Sequence, residues 1–360
     1  WAQIDTEAIV HNVKVLKQQA GQAKLAAVIK TNAYGHGAVE IAHLVLKAGA
    51  DQLAVVCTEE GEELRQAGIQ CPIIILGYTP KEDAKRIIQN KLTPSIGSKD
   101  AALALAQEAS LQNVTQPIHL KIDTGLNRYG LAPADCIALA KSLREIQSLT
   151  MEGIFTHFAK ADESNKRNTN NQYQVFKETT NKLPWINTRH VSNTATLLDM
   201  PDLNLELVRP GIGIYGCYPS QQVNHDIHLK PALSLHSRII RTSSLSSGEG
   251  VSYGYTWKAQ KDSKIGLIMG GYGDGIPRAL SNKGYVLVSG KRVPIIGNVC
   301  MDMTMIDITD VPEASEGDKV TLIGSQGADN ITAEDMAKIC ETINYEILSC
   351  IGPRVPRLYT

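Results

Sequence analysis

The feature that most constrains this chain is a rhythm. Short strand-like runs, most of them apolar, alternate with segments of helical period through the first two thirds of the sequence. The runs are LAAVIK (25–30), LAVVC (53–57), PIIIL (72–76), LTPSI (92–96), IHLKID (118–123), MEGIFTH (151–157), RHVSN (189–193) and LELVRPG (205–211). Between them, helices are expected at 6–19, 38–48, 58–68, 99–109, 134–145 and 171–182. In the first, Ile9, Val13 and Leu16 share one face behind an Asp5 or Thr6 cap. The apolar runs are continuous, as parallel strands covered on both faces must be. Eight such strands with intervening helices predict a (β/α)8 TIM barrel. Beyond about residue 225 the rhythm changes. ALSLHSRIIR alternates apolar and polar, and KIGLIM, GYVLVSGKRVPIIG, MTMIDI and KVTLIG follow with tight Gly, Asn and Asp turns. This reads as a mostly antiparallel β domain with one late helix near 332–343. The expected division is a barrel over 1–228 and a β domain over 229–360.

Bulk properties narrow the function classes. A chain of 360 residues has room for two domains. Its net charge of −1 gives no electrostatic reason to expect nucleic acid or an anionic membrane as partner. Three Phe and three Trp argue against a base-stacking surface. The seven cysteines are scattered and form no C-x-x-C pair, so they read as reduced thiols in a cytoplasmic protein, with no disulfide framework and no metal site. No apolar run is long enough to span a bilayer, so this chain itself is expected to make no membrane contact. The chain begins at Trp1 without a methionine, which leaves room for a preceding segment, including a membrane domain.

Functional groups of a parallel barrel collect at the C-terminal ends of its strands. Those ends carry Lys30 and Tyr34, then Lys121, Asp123 and Arg128, then His157, then Ser192, Asn193 and Thr194, and finally Arg209 before Gly211 and Ile212. The ring is rich in cations and hydroxyls and poor in acids. A lysine there forms an imine with a carbonyl compound if its surroundings depress its pKa, and backbone amides with hydroxyls hold a phosphate. Together these outline a pyridoxal 5'-phosphate site. Taken singly, each residue has a plainer reading: Lys30 a solvated strand-end lysine, His157 a core histidine, Tyr253 a strand tyrosine, Arg209 a loop residue, Lys121 a salt-bridged lysine.

The sequence AVIKTNAYGHG resembles the cofactor-lysine signature of the alanine racemases. So do, in order, LKIDTGLNRYG, EGIFTHFAKADE, HVSNTATLL, LVRPGIGIYG, GEGVSYGYTW, MGGYGDGIPR, IIGNVCMDMTMIDIT and TINYE. The resemblance spans nearly the whole chain. It implies a fold-type III pyridoxal phosphate enzyme that racemises L-alanine to D-alanine for peptidoglycan, working as a head-to-tail homodimer with shared active sites. Lys30 would carry the cofactor and act as one base. Tyr253, arriving from the partner subunit, would act from the opposite face. Arg209 would face the pyridine nitrogen. Tyr34, Thr194, Gly211, Ile212 and Tyr345 would bind the phosphate, with Asn193 beside them. His157 would tune Tyr253, and Arg128 would touch the cofactor's phenolic oxygen or the substrate carboxylate. Met301 and Tyr272 would line the substrate pocket and its entrance. Lys121 matches a position where many members carry a carbamylated lysine. Thr31 stands where the family usually has a small residue, and is expected to point away from the cofactor. A serine racemase domain of a membrane-bound vancomycin-resistance protein is the alternative reading. A cofactor carrier without a second domain, and a decarboxylase with a carboxylate at the ring nitrogen, fit Tyr253 and Arg209 less well.

Overall fold

The computed structural model describes Trp1–Thr360. Eight parallel strands, Lys24–Val28, Gln52–Val55, Ile73–Ile75, Thr93–Ile96, Gln116–Lys121, Leu149–Phe155, Thr188–His190 and Leu207–Val208, form one sheet. The last strand pairs with the first, Lys24 opposite Leu207 and Leu25 opposite Val208. The remaining seam, between the seventh and eighth strands, is bridged by two backbone hydrogen bonds: Glu206 N–H to Arg189 O (3.3 Å) and Arg209 N–H to Ser192 O (2.9 Å). The sheet is thus a nearly closed barrel. Its strands are buried along most of their length because helices cover them outside and neighbouring strands fill the inside. Ile73–Ile75 and Thr93–Ile96 are buried at every position. Each expected helix is present, among them Thr6–Ala20, Ala38–Lys47, Thr58–Gln66, Lys99–Leu111, Pro133–Leu143 and Arg167–Thr180. No helix is long and apolar enough to cross a membrane.

A nine-stranded sheet makes the second unit. The long strand Leu233–Leu245 is its spine, pairing antiparallel with Ser263–Met269 and Lys319–Gln326. Two compact units emerge, but not by a single cut at 228/229. Trp1–Thr6 and Tyr34–Gly37 group with Ala232–Thr360, and the barrel unit holds Glu7–Ala33 and Ala38–Pro231. The reason for the first is register: Ala2–Ile4 pairs antiparallel with Leu233–Leu235 and parallel with Arg357–Tyr359. A three-residue strand whose partners lie more than 200 residues away leaves almost no local signal.

Candidate active site

The strands deliver the expected cations to one mouth of the barrel. Arg209 follows the eighth strand and is only 3% exposed. Its guanidinium donates to Thr156 O at 2.9 Å, and its other arm lies 2.8 Å from His190 Nδ1. No carboxylate pairs with it. A guanidinium only donates, so His190 Nδ1 must accept, and the His190 proton sits on Nε2. From there it donates to His119 Nδ1 at 2.8 Å. Both imidazoles are therefore neutral. Burial, with Arg209 next, pushes His119 down to about 3 and His190 well below the usual histidine range. Burial also pushes Arg209 down to about 9, which leaves it a cation at neutral pH.

The Arg209–His190–His119 chain is built into the barrel wall. His190 stacks on Phe155, with ring centroids 4.6 Å apart at 11°. His119 lies against Gly153 of the neighbouring strand, where a Cβ would come within 2.6 Å of the imidazole. The strand register shifts between Ile118 and His119, at the point where that ring must be accommodated. Lys121 is 5% exposed, and its Nζ sits 4.3 Å from the centre of the Phe155 ring. Burial, then Arg209 and Arg128, hold its amine well below the usual lysine range, and Asp123 opposes this. His157 is half-buried and is likewise depressed by burial, Lys121, Arg209, Arg128 and Lys30.

Lys30 does not end a strand. The strand stops at Val28, and Lys30 opens a turn of unusual hand. Thr31, Asn32, Ala33 and Tyr34 all have φ between 51° and 54°. Consecutive non-glycine residues here form a left-handed helical turn, which costs roughly 1–2 kcal/mol per residue. Thr31 is the most unfavourable, being β-branched. Several bonds hold the turn. Ala33 N–H reaches Ile29 O at 2.9 Å, Asn32 Oδ1 accepts from Ala38 N–H at 2.8 Å, and Thr31 N–H donates to Glu60 Oε1 at 2.6 Å. Ala33 is fully buried and Thr31 is exposed. Burial and then Arg128 lower the pKa of Lys30, while Glu60 raises it.

Thr194 and the segment after Pro210 frame a second part of the mouth. Thr194 Oγ1 accepts from Gly211 N–H (3.0 Å) and Gly213 N–H (3.4 Å). A Cβ on Gly213 would meet Thr194 Cγ2 at 2.7 Å, so only glycine permits this approach. The first-turn amides of the short helix Ile212–Tyr215 have no partner within that helix. Asn193 caps the helix Thr194–Asp199, its Oδ1 accepting from Thr196 N–H at 3.0 Å.

In the second unit the Tyr253 turn and the Cys300–Met301 turn are tied together. Asn298 donates to Tyr253 O at 2.7 Å, and Ser252 Oγ donates to Asn298 O at 2.7 Å. Tyr272 N–H reaches Cys300 O (3.0 Å), and Gly273 N–H reaches Met301 O (2.9 Å). The result is one face carrying Tyr253 at 75%, Met301 at 54% and Tyr272 at 45% exposure. Tyr34 and Tyr345 are neighbours, their ring centroids 6.1 Å apart.

A family model described as the alanine racemase N-terminal domain matches residues 4–219, and one described as its C-terminal domain matches 232–359. The chain belongs to the alanine racemase family. An alanine racemase of Halothermothrix orenii is 41% identical over 364 residues, covering 100% of this chain and 96% of that protein. One from Carboxydothermus hydrogenoformans is 42% identical, covering 100% and 99%. The solved alanine racemase of Clostridium difficile 630 superposes with a TM-score of 0.95 at 39% identity, over 100% of this chain and 95% of that one. An alanine racemase structure from Bacillus anthracis with bound L-Ala-P gives 0.94 at 36% identity, over 100% and 94%.

Within the family fold, the barrel unit gathers Lys30, Lys121, His157, Thr194 and Arg209 at one mouth, with Arg128 on the exposed loop that Asp123 organises by accepting from Gly125 and Asn127 N–H. The Gly211 amide is engaged by Thr194 Oγ1, and Asn193 Oδ1 by its own helix, so in this chain both shape the mouth through a neighbour. Sequence reading missed His119 and His190. His119 sits among apolar residues and His190 in the polar stretch TRHVSN, and only their burial with Arg209 sets them apart. Glu60 was also missed, hidden in a helix that reads as uniformly polar.

Proposed function

We propose that this chain interconverts L- and D-alanine with pyridoxal 5'-phosphate, supplying D-alanine for peptidoglycan. One observation carries the reading: a buried guanidinium, Arg209, held by carbonyls and a neutral histidine with no acid in reach, at the same barrel mouth as a lysine of depressed pKa. Such an uncompensated buried cation fits an anionic, phosphate-bearing cofactor. Bound there, pyridoxal phosphate supplies the electron-withdrawing ring that makes the substrate Cα–H acidic.

The remaining work falls to the protein. Lys30 Nζ takes or returns the α-proton on one face, and the burial that lowers its pKa favours the free amine that such a base needs. The Tyr253 hydroxyl of the partner subunit serves the opposite face. Its exposure on a single chain, among Met301 and Tyr272, suits a face that a second copy covers. Arg209, a cation at neutral pH, would face the ring nitrogen of the bound cofactor and would favour its unprotonated form. Thr194 and Ile212 of the barrel unit would hold the phosphate, a role the resemblance also gives Tyr34 and Tyr345. Arg128 would contact the phenolic oxygen or the substrate carboxylate.

Lys121 is a buried amine among cations. Its free amine adds to CO2 to give a carbamate and a proton, and that anion would pair with the arginines. A 13C carbonyl signal at Lys121 after exposure to labelled bicarbonate is expected, and its absence would leave Lys121 as the amine. The function itself is tested by assaying racemisation of L-alanine and L-serine side by side. We expect kcat/KM to favour alanine. A preference for serine would replace the substrate, and activity on neither would overturn the reading.

A further inference from the structure

The left-handed turn after Lys30 is costly, and one carboxylate holds its first peptide. Glu60 lies in the first turn of the helix Thr58–Gln66. An acid there is ordinary, since it faces the positive end of the helix dipole. The ordinary role accounts for one oxygen: Oε2 accepts from Val56 N–H, just ahead of the helix, at 2.7 Å. It does not account for the other. Oε1 leaves its own βα unit and accepts from Thr31 N–H at 2.6 Å. One carboxylate therefore ties the end of the second barrel strand to the residue that follows Lys30.

Thr31 is the β-branched member of the turn, the one whose backbone most resists φ of 54°. Without an acceptor at Glu60, its N–H would lose its partner and that conformation would lose its support. We propose that Glu60 is a positioning residue for Lys30: its two-oxygen grip on Thr31 and Val56 holds the left-handed turn and so fixes the lysine at the barrel mouth. The inference rests on the role assigned to Lys30 above. The charges facing Lys30 are those of Arg128 and Glu60, with His157 also within its field. Glu60 is the one that favours the ammonium form.

The test uses the full chain freed of cofactor, as wild type, Glu60→Gln and Glu60→Asp. Two quantities are read: hydrogen exchange at the Thr31 amide, and the pH midpoint of Lys30 acetylation by trace acetic anhydride, followed by peptide mass spectrometry. Glutamine keeps the length and loses the charge. It should move the Lys30 midpoint to lower pH and speed Thr31 exchange by about tenfold or more, the effect of one charge-assisted hydrogen bond lost. Aspartate keeps the charge but is too short to reach both amides. It should speed Thr31 exchange and leave the Lys30 midpoint nearer that of the wild type. Wild-type values for both quantities in both variants would overturn the proposal. So would a general loss of protection with an unmoved Lys30 midpoint, which would make Glu60 an ordinary helix-start residue. Neither readout needs racemisation, so a wild-type chain that binds no pyridoxal phosphate would count against the functional reading and not against Glu60.

Discussion

The barrel mouth and the Tyr253 face are built on opposite principles. At the mouth, charge is buried. Arg209 sits in the barrel wall with no acid paired to it and Lys121 beside it with only Asp123 in its field, fixed by carbonyls, an aromatic ring and two neutral histidines. On the face, apolar and aromatic groups are exposed: Tyr253, Tyr255, Met301 and Tyr272 stand on turns stapled by backbone hydrogen bonds. Burying an unpaired cation and exposing a large aromatic are each unfavourable in isolation. On the proposed function, an anionic cofactor would complete the mouth and a second copy of the chain would complete the face. The difference separates what one chain positions alone from what it must receive.

Three changes probe that contrast, starting with the largest effect. Lys30→Ala removes the group on the mouth side, and racemisation should fall by about 10²–10⁴-fold or more while the fold, read by circular dichroism, is kept. Tyr253→Phe removes the group on the exposed side. The enantiomers have equal free energy in water, so kcat/KM must remain equal in both directions whatever the variant. The informative measurement is α-deuterium uptake in D2O by NMR. D-alanine should still exchange, and L-alanine should exchange about 10²-fold more slowly than with the wild type. Equal losses would remove the two-sided assignment. His119→Gln acts on the mouth through the His190–Arg209 chain, and its effect is read through stability. The wild-type His119 pKa is depressed to about 3, so the neutral form is the folded one. The stability it permits is full above the unfolded histidine pKa, near 6.5, and is lost as pH falls from there toward about 3. Calorimetry should show the variant's Tm falling less steeply over that window. An identical slope would mean that His119 is charged in the folded protein.

The same contrast explains what the sequence disclosed. The barrel was legible because most strands hold a short apolar run and each helix keeps its own period. Lys30, Lys121, His157 and Arg209 were legible as a set because the fold collects strand ends. The strand Ala2–Ile4 was not, since its partners are remote in the chain. Nor was the turn at Thr31–Tyr34. Glycine and asparagine advertise positive φ, whereas Thr31, Ala33 and Tyr34 do not, and their conformation is imposed by Glu60, Asn32 and burial. The His119–His190 chain was hidden for a related reason. A lone strand histidine looks like core until the guanidinium that orders its tautomer is seen. Propensity and periodicity report a residue's own backbone; these features are set by contacts distant in sequence.

The central claim is that Lys30 of one chain works with Tyr253 of another, and subunit complementation tests it most directly. Lys30→Ala and Tyr253→Phe homodimers are each expected to be nearly inactive. Mixed, dissociated and reassembled at equal amounts, half the dimers should be hybrids, each with one intact site, restoring about a quarter of the wild-type activity per chain. If activity stays at the level of the parents although hybrid dimers form, the two residues do not meet across chains, and the account of the site is wrong.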